Sequence, residues 1–233
     1  MKNYRITKYN PENRNSDGHY QVDEWTCPSE VGKVINGSTF EKKDYFEIES
    51  RYVEAVITFM ESMSIGRLRI VNLNTNYMNE FFAEKENHWL MDNKFKEIEL
   101  FEDKSVDIIE VAALIKMNLR NFMGCRLEIA GEFRVRFGFD YYMYIRSTDF
   151  NSEALRKVKR IGLFVEELKS SINNPNYEFY VSSGKKDQEF VEDEYPLTNM
   201  SCDKIRATLG FSIEHPCNHC FEITKDNCSI FVK

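Results

Sequence analysis

Four residues near the C-terminus, His215, Cys217, His219 and Cys220, have donor types and spacing that suit a metal ion. Zinc takes about four thiolate or imidazole ligands in a tetrahedral array, and Cys202 and Cys228 lie near enough in sequence to contribute. Two features oppose this zinc-knuckle reading. The chain has one CxxC and no matching second pair, and the second pair is what makes a ribbon signal specific. Reading HCFEIT–KDN–CSIFVK as a hairpin also carries Cys228 to the turn, about 13–25 Å from Cys220 at ~3.3 Å per strand residue. The balance favours no cofactor, with ordinary thiols and histidines in this tail and zinc as the minority reading.

Catalytic patterns are sparse. A cysteine nucleophile needs a base and an orienting group. Cys27, in WTCPSE, sits beside Pro28 in a turn-like context without them. No GxSxG, GxxxxGK[ST], HExxH or GxGxxG occurs. Asp23 and Glu24 stand directly before Trp25, where they could share a pocket with it. Glu166 and Glu167 fall in a predicted strand, where neighbours point to opposite faces and cannot share a site. These carboxylates read as solvated surface charge.

The segment Phe133–Arg146, FRVRFGFDYYMYIR, is more informative. Its odd positions are all apolar or aromatic, and its even positions are Arg134, Arg136, Gly138, Asp140, Tyr142, Tyr144 and Arg146. A period of two predicts one extended strand with a buried face. Fourteen residues is long for a strand, so Gly138 is expected to mark a bulge. Tyrosine and arginine are enriched at binding hot spots. Arg134, Arg136, Asp140, Tyr142, Tyr144 and Arg146 are therefore the candidate binding residues, although such residues also make ordinary cross-strand pairs. An acidic run, Glu192-Asp193-Glu194, is a second candidate surface.

The elements that must position these residues follow from periodicity and punctuation. Residues 2–9 read as a strand. Ser38 and Glu41 have capping-box spacing and open a helix to about Met63, with Tyr45, Ile48, Tyr52, Val56, Phe59, Met60 and Met63 on one face. RLRIVNLN from Arg67 and FKEIELF from Phe95 read as strands, with a short helix near Phe81 and Phe82. Ser105 caps a second helix that Gly124 closes. CRLEIA from Cys125 leads into the long strand. A helix from Ser152 to Arg160 ends at Gly162 and precedes a strand, LFVEELK. Thr198 or Ser201 caps a last short helix, to Leu209, ended by Gly210.

This order predicts an α+β fold: a largely antiparallel sheet with helices packed on one side. The expected organisation is a main domain over 1–170 and a polar connecting segment over 171–200. Residues 201–233 then form a helix and hairpin docked on the main domain.

Bulk properties narrow the class. The chain has 233 residues, 42% hydrophobic and 30% charged, which suits a globular protein able to bury a core. A net charge of −7 argues against general nucleic-acid binding, which needs a positive field. No apolar run approaches the ~20 residues of a membrane span. The N-terminus MKNYRITKYN lacks an apolar core for a secretory signal. Six dispersed cysteines without an export signal suggest reduced thiols and a cytoplasmic location.

Three stretches together, RITKYNPENRNSDGHYQVDEWT, RFGFDYYMYI with GLFVEE, and LGFSIEHP, resemble an uncharacterised family of bacterial cytosolic proteins. Its members are similar to immunity-type proteins of polymorphic toxin systems. The resemblance implies a non-enzymatic protein-binding module whose partner is another protein, a toxin in that setting, and it carries no catalytic residues. The alternatives are an enzyme of unrecognised type, with a pocket lined by Trp25, His19, Asp23 and the sheet, or a small-ligand sensor domain.

Overall fold

The computed structural model describes residues 1–75, 84–148, 152–168, 178–183 and 193–231. It divides into two units, Met1–Ser170 and Ser171–Lys233.

The first unit is α+β. Its strands are β1 (Lys2–Thr7), the two-residue pair β2 (Val34–Ile35) and β3 (Ser38–Thr39), β4 (Arg67–Asn74), β5 (Ser105–Asp107), β6 (Gly124–Ile129), β7 (Phe133–Phe137), β8 (Met143–Ser147) and β9 (Phe164–Leu168). Seven of them form one sheet in the order β5-β4-β6-β7-β8-β1-β9, antiparallel at each pairing. Helices α1 (Lys42–Ser62), α2 (Ile108–Leu119) and α3 (Ser152–Arg160) cover one face. Helix α1 lays Tyr45, Tyr52 and Phe59 at seven-residue spacing onto that face, with Ala55, Val56 and Met60 beside them. The sheet answers with Ile6, Leu68, Ile70, Leu127, Phe133, Val135, Met143 and Ile145, each 1% exposed or less.

Glu49 lies in the buried stripe of α1 and needs a partner there. Arg120, at the end of α2, supplies it: Nε and Nη2 donate to the two carboxylate oxygens at 2.6 and 2.5 Å. Its Nη1 donates to the Leu90 carbonyl, and Phe46 and Phe95 lie against the guanidinium. This bidentate pair ties the irregular segment 84–100 to the helices.

Several elements depart from their sequence expectation. Phe133–Arg146 is a hairpin, β7 and β8, and no bulged strand runs through it. The Gly138 N–H donates to the Tyr142 carbonyl and the Tyr142 N–H to the Phe139 carbonyl. Asp140 and Tyr141 take φ of +54° and +61°, the pattern of a tight turn whose twist matches its strands. Left-handed backbone costs a tyrosine about 1–2 kcal/mol. Burial of the Tyr141 ring against Trp25, Tyr45 and Tyr52 offsets this, as does its O–H, which donates to the Leu119 carbonyl at 3.0 Å. Phe139, expected inward, is 92% exposed. Gly138 marks a close approach, since a Cβ there would meet the Tyr144 ring at 3.1 Å.

Helix α1 is capped by Glu41 and Asp44, whose Oδ2 accepts the Glu41 N–H at 2.9 Å; Ser38 belongs to β3. Ser105 does not cap α2 but lies on edge strand β5. Asp107 caps α2 through the N–H groups of Ile109 and Glu110, and Glu110 returns a bond to the Asp107 N–H. Gly124 does not close that helix; it opens β6. FKEIELF is not a strand. Asp92 caps a single 3-10 turn, Asn93–Glu97, through the Lys94 N–H, and this turn buries Phe95. The helix expected near Phe81 and Phe82 lies outside the described residues.

In the second unit, β10 (Tyr180–Ser183) pairs antiparallel with β11 (Asp193–Pro196) inside the stretch read as a polar connector. Helix α4 (Cys202–Leu209) is capped by Ser201 and closed by Gly210 at φ +72°. Among the described residues the expected C-terminal hairpin does not form: residues 220–224 carry no strand and Cys228–Phe231 forms a short helix, α5. Val181, Ile205, Cys217 and Phe231 form its buried apolar cluster among the described residues. Among the described residues no helix is long and apolar enough to cross a membrane.

Candidate binding face

The sheet face opposite the helices receives every out-of-phase strand position. Strand register aligns these positions into two rows. One runs Glu166, Arg5, Tyr144, Arg136, Arg126 across β9, β1, β8, β7 and β6. The other runs Leu168, Asn3, Arg146, Arg134, Glu128, Arg69, Ser105 across all seven strands.

Two carboxylates organise the guanidinium groups. Glu166 accepts paired bonds from Arg5 (3.0 and 3.1 Å) and from Arg14 (2.6 and 2.8 Å), the latter on the loop after β1. Hydrogen bonds from Arg14, and then the charges of both arginines, hold the Glu166 carboxyl below its ordinary range. Glu128, 1% exposed, accepts from Arg134 Nε at 2.7 Å, with Arg126 Nε at 3.5 Å. Arg69 lies against the Asp103 carboxylate at 3.4 Å. Arg5, Arg14, Arg126, Arg134, Arg136 and Arg146 thus stand against Glu128 and Glu166. The patch concentrates guanidinium groups in a chain of net charge −7.

Tyrosines are interleaved with these arginines. The exposed Arg136 guanidinium sits 4.5 Å over the Tyr144 ring. Arg5 lies 5.4 Å from the Tyr142 ring, which packs beside Tyr9, and Tyr9 contacts Tyr20. The Tyr20 hydroxyl accepts from Arg14.

The structure brings together five of the six sequence candidates. Arg134 faces Arg146 and Arg136 faces Tyr144 directly across β7 and β8, with Tyr142 at the hairpin's end. Asp140 is apart from them, exposed at the turn. Arg5, Arg14, Tyr20, Arg69, Arg126, Glu128 and Glu166 were missed. Five strands carry an arginine on the phase opposite their apolar residues, and that recurring offset was a usable signal. Of the acidic run, Asp193 and Glu194 lie exposed on β11, and Glu192 is outside the described residues.

Trp25, a pocket wall in the enzyme reading, is packed. It stacks on Phe40 at 4.6 Å and meets Tyr141 edge-on at 4.9 Å. With Tyr9 it encloses Lys8 Nζ, at 4.2 and 4.0 Å, where Glu24 pairs with it at 3.0 Å. Burial lowers the Lys8 pKa despite Glu24.

In the second unit, His215 is fully buried and Cys217 is 2% exposed, while Cys220 is exposed. The His215 and His219 rings lie 5.2 Å apart. With no C-terminal hairpin, the geometric ground for setting Cys228 aside also falls, though its side chain lies outside the described residues.

Comparison with family models, with curated proteins and with solved structures finds no match to this chain.

Proposed function

We propose that this protein is a non-enzymatic binding module that docks an acidic surface of another protein onto its Arg/Tyr sheet face. The observation that carries the reading is the concentration of guanidinium groups, interleaved with tyrosines, on the sheet face opposite helices α1 to α3, where Arg136 is exposed over Tyr144. Arg136, exposed and stacked on Tyr144, has the form of an anchor residue, and opposite charge speeds encounter. An immunity protein that occludes a toxin uses this chemistry, in keeping with the sequence resemblance and a cytoplasmic setting.

The test is isothermal titration against the toxin-like protein encoded beside the gene for this chain, catalytically disabled for expression. The native chain should bind, with an association rate that falls as salt rises. Arg136→Glu with Tyr144→Ala should weaken affinity about 100-fold or more, as expected for paired anchors worth about 2 kcal/mol each. No binding by the native chain removes the immunity role. Strong binding that the double variant leaves unchanged removes the face.

A further inference from the structure

We propose that the second unit binds an extended basic peptide of another protein by strand addition, in a cavity along the open edge of β10. This site is independent of the sheet face and of the partner proposed for it.

The cavity holds about 760 Å³, and its described lining comes from residues 178–231, all within Ser171–Lys233. One wall is Glu178, Phe179, Tyr180, Val181, Ser182 and Ser183 in unbroken succession. Successive side chains of a strand point to opposite faces, and here Val181 is buried in the apolar cluster while Tyr180 and Ser182 are exposed. A cavity lined by both phases meets the strand at its edge, where the backbone groups point.

The register tells which backbone groups these are. The Leu197 N–H donates to the Phe179 carbonyl at 2.7 Å. Val181 stands opposite Tyr195, and Ser183 opposite Asp193. Antiparallel pairs alternate between bonded and non-bonded, so Phe179, Val181 and Ser183 turn their polar groups toward β11. Tyr180 and Ser182 turn theirs the other way. Pro196, which has no N–H to offer, stands opposite Tyr180 in keeping with this. Among the described residues β11 is the only strand that pairs with β10. The N–H and C=O groups of Tyr180 and Ser182 thus present a ladder that an incoming strand can complete.

Residues 217–223 also line the cavity. Phe221 and Ile223 pack on the apolar cluster, and Cys220 and Glu222 are exposed. This is the alternation of a strand, yet no described strand pairs with it.

Charge selects the occupant. Glu178, Glu194 and Glu222 line the cavity, and among the described residues no lysine or arginine does. The Tyr180 hydroxyl donates to Glu178 at 2.7 Å and the Ser182 hydroxyl to Glu194 at 2.9 Å. A hydroxyl partner leaves the negative charge in place. Val181, Ile205 and Phe231 give the cavity an apolar floor. The segment that matches alternates apolar residues with lysine or arginine. Its length is about six residues, or about 20 Å at ~3.3 Å per residue, to run beside 178–183.

Fluorescence anisotropy on the full chain tests the site, with a dye-labelled six-residue peptide alternating valine and lysine as the probe. It should bind one to one, and more weakly as salt rises. Two further versions carry backbone N-methyl groups, one at every valine and one at every lysine, with all charges kept. At least one of them should bind about 10-fold or more weakly, because it loses the donors that face β10. Spermine, a polycation without a peptide backbone, should also bind about 10-fold or more weakly. Bound peptide should slow alkylation of Cys220, which is exposed and lines the cavity, and leave Cys27 of the first unit unaffected. Glu194→Gln with Glu222→Gln should weaken the peptide about 5-fold. Failure of the native chain to bind the peptide overturns the site. So does equal binding of all three peptide versions, or spermine binding as tightly as the peptide, since either assigns the cavity to charge alone. Cys220 alkylated at an unchanged rate with peptide bound places the peptide elsewhere and overturns it too. These readouts use the native chain, so a variant that fails to fold does not rescue the proposal.

Discussion

The same strands build two faces that treat charge in opposite ways. On the helix side, the buried carboxylate of Glu49 is matched by the single guanidinium of Arg120, bond for bond. On the opposite side, Arg5 and Arg14 share Glu166, and Arg126 and Arg134 share Glu128. A buried charge must be paired or it destabilises the fold. The arginine side chains there keep 15–25% of their surface exposed, so each retains some water beside its carboxylate. The helix side thus pairs one guanidinium with one carboxylate, whereas the other face shares each carboxylate between two arginines and leaves Arg136 exposed over Tyr144.

Neighbouring positions on β7 give the largest contrast. Phe133→Ala empties a fully buried site and should cost about 3–5 kcal/mol in urea unfolding. Arg136→Ala, three residues on and facing outward, should stay within about 0.5 kcal/mol. Similar losses at both positions would mean that the open face is structural after all.

A smaller effect tests the pairing at Glu128. Arg134→Met leaves that carboxylate with Arg126 and should cost about 2 kcal/mol. Adding Glu128→Met should restore most of it, and a double-mutant cycle measures the coupling. Additive losses would show that the pair contributes nothing.

Glu166 gives a pH signature. Its folded pKa lies below the ordinary 4.5, so the folded state holds fewer protons there than the unfolded chain. The stability it contributes is complete above about pH 4.5 and is lost as pH falls through the lower, folded value. Glu166→Gln should flatten that part of the stability–pH curve, and a curve of unchanged slope would remove Glu166 as its source.

The smallest effect is chemical. Cys125 is buried under the sheet, and desolvation pushes its thiol up to about 12. Labelling near pH 8 should spare it while modifying exposed Cys220. Equal labelling rates would show that the helix side opens readily.

Much of the sheet was legible because a period of two survives in single strands. Lys2–Thr7, Arg67–Asn74, Gly124–Ile129 and Phe164–Leu168 fall where the alternation places them. The hairpin was not legible, for a physical reason. Asp140-Tyr141 makes a left-handed turn without glycine, and Tyr141 keeps the apolar phase while the chain reverses. The pattern therefore runs unbroken through a break in direction. Caps were displaced because Ser38 and Ser105 have the right spacing, while the carboxylates of Asp44 and Asp107 form the bonds. The site was half legible: its β7–β8 residues stood in one segment, but Arg5, Arg69, Arg126 and Glu166 reach it only through strand order. Phe95 illustrates a third limit, since one buried aromatic on a 3-10 turn looks like a strand residue.

The turn at Tyr141 has a consequence for kinetics. Its ring is wedged among Trp25, Tyr45 and Tyr52, its hydroxyl donates to the Leu119 carbonyl, and its own carbonyl accepts from Tyr52. The hairpin that carries Arg136, Tyr142 and Tyr144 is thereby anchored at its tip as well as along its ladder. A molecule landing there meets side chains whose backbone has no freedom left to lose, so little ordering entropy opposes capture. Association should proceed in one kinetic phase, limited by encounter and orientation, with no slower rearrangement following it.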